Sequence, residues 1–109
     1  MKTFNDLIFK DKEIGLGEVS RIGFDNGWGV SVVKGPYTYG GKDGLYELAV
    51  LRDNEIHYDN PVAQGDVVGY LRPEDVTDAM AVIQKFEKIE HLDPDYMHKW
   101  IVKIGRAHV

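Results

Sequence analysis

The chain has 109 residues, of which 43% are hydrophobic, 28% charged and 11% aromatic, a balance that supports one folded core and excludes a disordered or fibrous chain. It contains no cysteine, so disulfides, thiolate metal sites and cysteine nucleophiles are excluded. A formal charge of −5 disfavours broad binding to duplex nucleic acid, where neutralising phosphates dominates affinity. No apolar run approaches the ~20 residues of a membrane span, and no basic-then-apolar signal segment opens the chain, so a cytosol is the expected location.

Phe4 to Lys10 has strand-like content and is expected as an edge strand, followed by a flexible break at Gly15-Leu16-Gly17. Val19 to Phe24 is the next strand. Asp25-Asn26-Gly27 is a hairpin turn, because Asn and Gly tolerate the positive φ of a tight reversal. A two-residue loop would pair Asp25 with Trp28; a three-residue loop pairs Phe24 with Trp28 and Ile22 with Val30. The second register places Ser20, Ile22 and Phe24 on one face with Trp28, Val30 and Val32, so burial selects it.

Gly35 to Gly44 holds four glycines and a proline and reads as an irregular loop. Leu45 to Leu51 follows, apolar on both faces as in a central strand covered from both sides. Arg52-Asp53-Asn54-Glu55 turns the chain into a partner strand, Ile56-His57-Tyr58, which ends at Asn60-Pro61. Val67 to Leu71 is a short strand or a helical lead-in. Pro73 to about Ile89 is the one clear helix: Pro73 suits its first position, Glu74 and Asp75 suit the positive end of its dipole, and Lys85 and Lys88 suit the other end. Val76, Met80, Ile83 and Phe86 form its apolar stripe.

The expected architecture is therefore α+β, with an antiparallel sheet of four to five strands over residues ~4–71 and one helix, ~73–89, on one of its faces. Residues 1–91 form the expected domain and 92–109 an extension. The last residues, Ile104-Gly105-Arg106-Ala107-His108-Val109, match the translation of a common short-read sequencing adapter. They are expected to be non-native and carry no functional weight.

Few motifs carry chemistry. Gly41-Lys42 is no phosphate-binding P-loop, since Pro36 stands where its first glycine belongs, Asp43 replaces the hydroxyl, and a strand follows where a helix is needed. The same loop offers stacking faces at Tyr37 and Tyr39, charge at Lys34 and Lys42, and glycine backbone open to an anion. The competing reading is a plain connection whose tyrosines cover the sheet edge. Trp28 joins this candidate ligand set, against a simpler role as core and cover. Gly15-Leu16-Gly17 lacks the spacing and context of a dinucleotide fingerprint. His91, Asp93, Asp95 and His98 have metal-ligand chemistry but sit in a Pro94-interrupted segment that does not make them converge. His57 and Asp59 would share a strand face, yet no serine completes a triad. Glu47 is either a partly buried carboxylate of raised pKa or the partner of a basic residue across the sheet. No catalytic residue, metal or cofactor is assigned.

The blocks Asn26-Gly27-Trp28-Gly29-Val30-Ser31-Val32-Val33, Tyr46-Glu47-Leu48-Ala49-Val50-Leu51, Asp66-Val67-Val68-Gly69-Tyr70-Leu71 and Glu74-Asp75-Val76-Thr77 together resemble a group of small accessory proteins encoded by tailed bacteriophages. The resemblance covers roughly residues 4 to 90. It implies expression in the cytoplasm of an infected bacterial host and a non-structural accessory role, and it brings no catalytic residue. Proteins of that class commonly bind rather than catalyse. The first expectation is a non-enzymatic protein that counters host defence by sequestering a small, phosphorylated (cyclic) nucleotide signal. The alternative is a protein–protein inhibitor that meets a host or immune enzyme through its acidic surface. A third is a small metal-dependent hydrolase using Glu47 or His57. A homo-oligomer is expected, because a sheet with a single helix leaves an apolar face to cover.

Overall fold

The computed structural model describes residues 1–89. One antiparallel sheet carries six strands: β1 (Lys10–Asp11), β2 (Glu18–Gly23), β3 (Trp28–Lys34), β4 (Tyr46–Arg52), β5 (Glu55–Ile56) and β6 (Val68–Leu71). The order β1-β2-β3-β4-β5 is a simple meander, and β6 returns to pair with β4 beyond the end of β5. Among the described residues a single α-helix, α1 (Pro73–Ile83), packs on one face. This is the expected α+β arrangement. The metal-like group from His91 to His98 and the terminal residues 104–109 lie outside the described residues.

The β2–β3 hairpin has the three-residue loop that burial demanded. Ile22 faces Val30, and the Phe24 N–H donates to the Trp28 carbonyl at 2.7 Å. Phe24, Val30 and Val32 are buried in one cluster with Val76, Met80 and Ile83 of α1, and Ser20, opposite Val32, is buried as well. β4 is buried on both faces, with Leu48 and Val50 in the main core and Ala49 and Leu51 on the other side. Asp53 and Asn54 both take positive φ, 49° and 67°, which closes a two-residue turn of the hand that suits a twisted hairpin.

Val76, Met80 and Ile83 of α1 are fully buried against Val30, Val32, Leu48 and Val50. Each such side chain contributes about 1.5–3 kcal/mol relative to exposure. At the other end of this layer Phe4, Phe9 and Tyr46 meet as a ring cluster with centroids 5.1–5.8 Å apart.

Four boundaries differ from the sequence reading. Phe4–Asp6 is a turn of 3-10 helix, not a strand: Thr3 caps it, its own N–H held by the Asp6 carboxylate at 2.8 Å. Only Lys10–Asp11 joins the sheet edge. The helix stops at Ile83, six residues short of expectation, so Lys85 and Lys88 lie beyond its last turn. Asn26 of the hairpin turn explains the stop: its Nδ2 donates to the carbonyls of Ile83 and Phe86 at 2.9 and 3.1 Å. Gln84 then bonds Lys2 in both directions, at 2.8 and 2.7 Å. Finally, β5 ends at Ile56, because buried Asn60 folds the following chain around itself. Its Nδ2 donates to His57 O at 2.9 Å, and its Oδ1 accepts from the N–H groups of Val62 and Ala63. Asp59 consequently sits outside the strand, and His57 turns against Trp28.

Candidate functional site

The loop from Gly35 to Leu45 is irregular in outline yet heavily bonded. Thr38 Oγ1 both accepts from Gly35 N–H and donates to Gly35 O, each at 3.0 Å. Gly40 O takes the N–H groups of Asp43 and Leu45, both at 3.0 Å, around a 3-10 turn at Gly41–Asp43. Tyr70 N–H donates to Tyr39 O at 3.1 Å and ties the loop to β6. Two glycines let these backbones touch. A Cβ at Gly69 would overlap that of Tyr39, and one at Gly40 would lie 2.9 Å from Tyr70 Cα.

The result is a fixed platform with aromatic rings on its outside. Tyr37, Tyr39 and Tyr70 are 85%, 57% and 61% exposed, and Lys42 is exposed on the same loop. Tyr70 also holds φ at +58°, a left-handed conformation rare for an aromatic residue, where β6 bulges against β4. Such strain costs on the order of 1–3 kcal/mol and concentrates at functional positions.

The other two members of the expected ligand set have separate duties. Lys34, at the base of the loop, lies 3.7 Å from Glu18, contacts the Tyr46 hydroxyl at 3.5 Å and sits over that ring at 4.9 Å. Trp28 occupies the opposite end of β3, about 20 Å away at the rise of a strand. There its Nε1 donates to Glu87 O at 3.2 Å and its ring meets Phe86 and His57 edge-on, with Arg52 above it. Tyr37, Tyr39 and Lys42 are thus exposed residues of one loop with Lys34 at its base, and Trp28 lies apart from them. Gly35, Gly40 and Gly41 are backed by neighbouring backbone, so that a Cβ on Gly41 would collide with Gly35 O, whereas Gly44 faces open space.

Tyr70 and Glu47 are the additions that sequence reading did not connect to this loop. Glu47 accepts a hydrogen bond from the Tyr39 backbone. Its carboxyl is pushed above the usual range, first by desolvation and then by the Asp66 carboxylate, against smaller opposing effects of the Tyr39 N–H and Lys12. A raised folded-state pKa means that ionising Glu47 costs stability. The cost is complete above the folded pKa and absent below the unfolded value near 4.3. Glu47→Gln should therefore raise the melting temperature at pH 7 by about 1–2 °C, small because the group is still partly solvated, and the gain should vanish near pH 4. A gain that persists at the lower pH would show that ionisation is not its cause.

Among the described residues no three His, Asp or Glu side chains are grouped to hold a metal ion, and no helix is long and apolar enough to cross a membrane. Comparison with protein-family models, with curated proteins and with solved structures gives no match.

Proposed function

We propose that the chain is a non-enzymatic binding protein whose ligand contacts are Tyr37, Tyr39, Tyr70 and Lys42, and that it acts in the cytoplasm of a phage-infected bacterium by sequestering a small nucleotide signal of host defence. The observation that carries the reading is the set of three exposed tyrosines on a backbone-bonded platform, one of them in a strained conformation. Rings left in water gain nothing from packing, whereas a nucleobase stacks on such faces irrespective of its identity. Lys42 supplies the point charge for a phosphate. Because the loop is ordered by its own hydrogen bonds, binding need not order it first, which lowers the entropic cost of association. The phage setting rests on the sequence blocks around Trp28, Tyr46, Asp66 and Glu74.

A thermal-shift and calorimetric panel of linear and cyclic nucleotides tests this. A ligand at about a thousand times its dissociation constant adds roughly 4 kcal/mol, a shift of well over ten degrees for a domain of this size. Tyr39→Ala and Tyr70→Ala should each weaken binding by about 5- to 150-fold, the loss of one stacked base, and Lys42→Ala should reduce the salt dependence. A flat panel would remove the nucleotide reading.

One observation favours a second reading, an inhibitor of a host protein. Glu47 and Asp66 place acidic groups close to Tyr39, a combination that suits a basic groove on a macromolecule. It predicts a flat nucleotide panel together with a defined protein complex that Tyr39→Ala disrupts.

A further inference from the structure

The sheet face turned away from α1 is covered only in part: Ala49 and Leu51 of β4 are buried there, whereas the β1–β2–β3 side carries an open, largely apolar groove. Val19, Val33 and Ile56 line a groove across it, with Arg21 and Ser31 between them and with Ile8 and Leu16 along its side. The groove encloses about 1040 Å³. Ile8 and Ile56 are 76% and 47% exposed. No second helix packs on this face among the described residues, and the apolar side chains left exposed along the groove call for a further layer.

Charge identifies that layer. The chain as a whole carries −5, so two copies repel over most approaches. The groove is different: its lining holds three cations, Lys10, Lys12 and Arg21, and three anions, Asp6, Asp11 and Glu13. A contact about a two-fold axis places the same patch on both partners. A patch of one sign would oppose itself there, whereas a patch with both signs in balance sets the cations of one copy against the anions of the other. We propose that this face binds a second copy of the chain, the two sheets stacking about 10 Å apart with their apolar residues between them. This interface is independent of the ligand reading above and uses other residues.

Sedimentation velocity of the full chain over roughly 1–100 μM tests it, since a functional dimer should assemble in that range. The expected result is a concentration-dependent shift to twice the chain mass. Ile8→Glu, at an exposed position, should weaken association by about tenfold or more. The charge argument has its own test. Lys10→Glu with Lys12→Glu makes the rim acidic, and Asp11→Lys with Glu13→Lys makes it basic; all four side chains are exposed, so helix content and melting should be retained. Each double variant alone should dimerise at least about tenfold more weakly, and an equimolar mixture should form a heterodimer. A wild-type chain that stays monomeric throughout, double variants that dimerise as wild type, or a mixture that fails to associate would each overturn the proposal. So would saturation of the groove by another part of the same chain, seen as a monomer protected at Ile8 and Ile56.

Discussion

Asn26→Asp should destabilise the protein more than Asn26→Ala at pH 7. Asn26 Nδ2 donates to two carbonyls at the end of α1, Ile83 O and Phe86 O, while Oδ1 accepts the Trp28 N–H at 3.1 Å. Alanine forfeits all three bonds and leaves partly buried groups short of partners, a cost of about 2 kcal/mol. Aspartate keeps the bond to Trp28 but turns a carboxylate toward two carbonyl oxygens at the negative end of a helix, for about 3 kcal/mol. That corresponds to a fall of roughly 15 °C in melting temperature. The carbonyls would raise the pKa of the new carboxyl in the folded state, so its penalty should shrink as pH falls through that value. Thermal melts of both variants at pH 7 and about pH 4.5 decide the matter. If aspartate proves the milder change at pH 7, Asn26 serves the turn alone and does not cap the helix.

Gly17→Ala should be comparably severe, and Gly15→Ala much milder. Both glycines take positive φ, 91° and 80°, so both substitutions incur the ~1–2 kcal/mol cost of a left-handed alanine. Their surroundings differ. A Cβ at Gly15 meets nothing within 4 Å, whereas one at Gly17 would overlap Lys34 O and lie 2.9 Å from Lys34 C. Those atoms belong to backbone at the end of β3 and cannot rotate aside. The expected loss for Gly17→Ala is about 3 kcal/mol or more, a large part of the 5–15 kcal/mol that holds a typical domain. Denaturant titration of the two variants separates crowding from backbone conformation. Equal losses would mean that the close crossing of the turn after β1 over the end of β3 adds nothing.

What could be read in the sequence was local or repeated. The register of β2 against β3 followed from burial alone, because a slip of one residue would scatter Ile22, Phe24, Val30 and Val32 over two faces. β4 was legible from its two apolar faces, and the start of α1 from Pro73 and its acidic neighbours. The end of α1 was not, because the group that stops it, Asn26, lies 57 residues before Ile83. Asn60 likewise reads as a plain breaker until its four-way bonding is seen. The candidate site divides the same way. Tyr37, Tyr39 and Lys42 share one loop and were grouped by proximity in the chain. Tyr70 and Glu47 reach that loop only through strand pairing, and nothing in Gly69-Tyr70-Leu71 announces a positive φ. The separation of Trp28 from Lys34 was available from the rise of a strand, since both lie on β3.

The bonds between the first residues and the helix bear on the order in which the molecule assembles. Lys2 meets Gln84 across 82 positions of chain and Phe4 N–H meets Thr77 Oγ1 across 73, while β2 and β3, and β4 and β5, pair across short turns and β3 and β4 across the single loop Gly35–Leu45. Closing a loop of that length carries the largest entropic cost, and the hairpins must already be in place to supply a surface for it. The meander is therefore the natural nucleus, and the segment holding Phe4 and Phe9 docks last. By the same reasoning it is the first to detach under native conditions, opening one end of the core while the pairing of β3 with β4 stays intact.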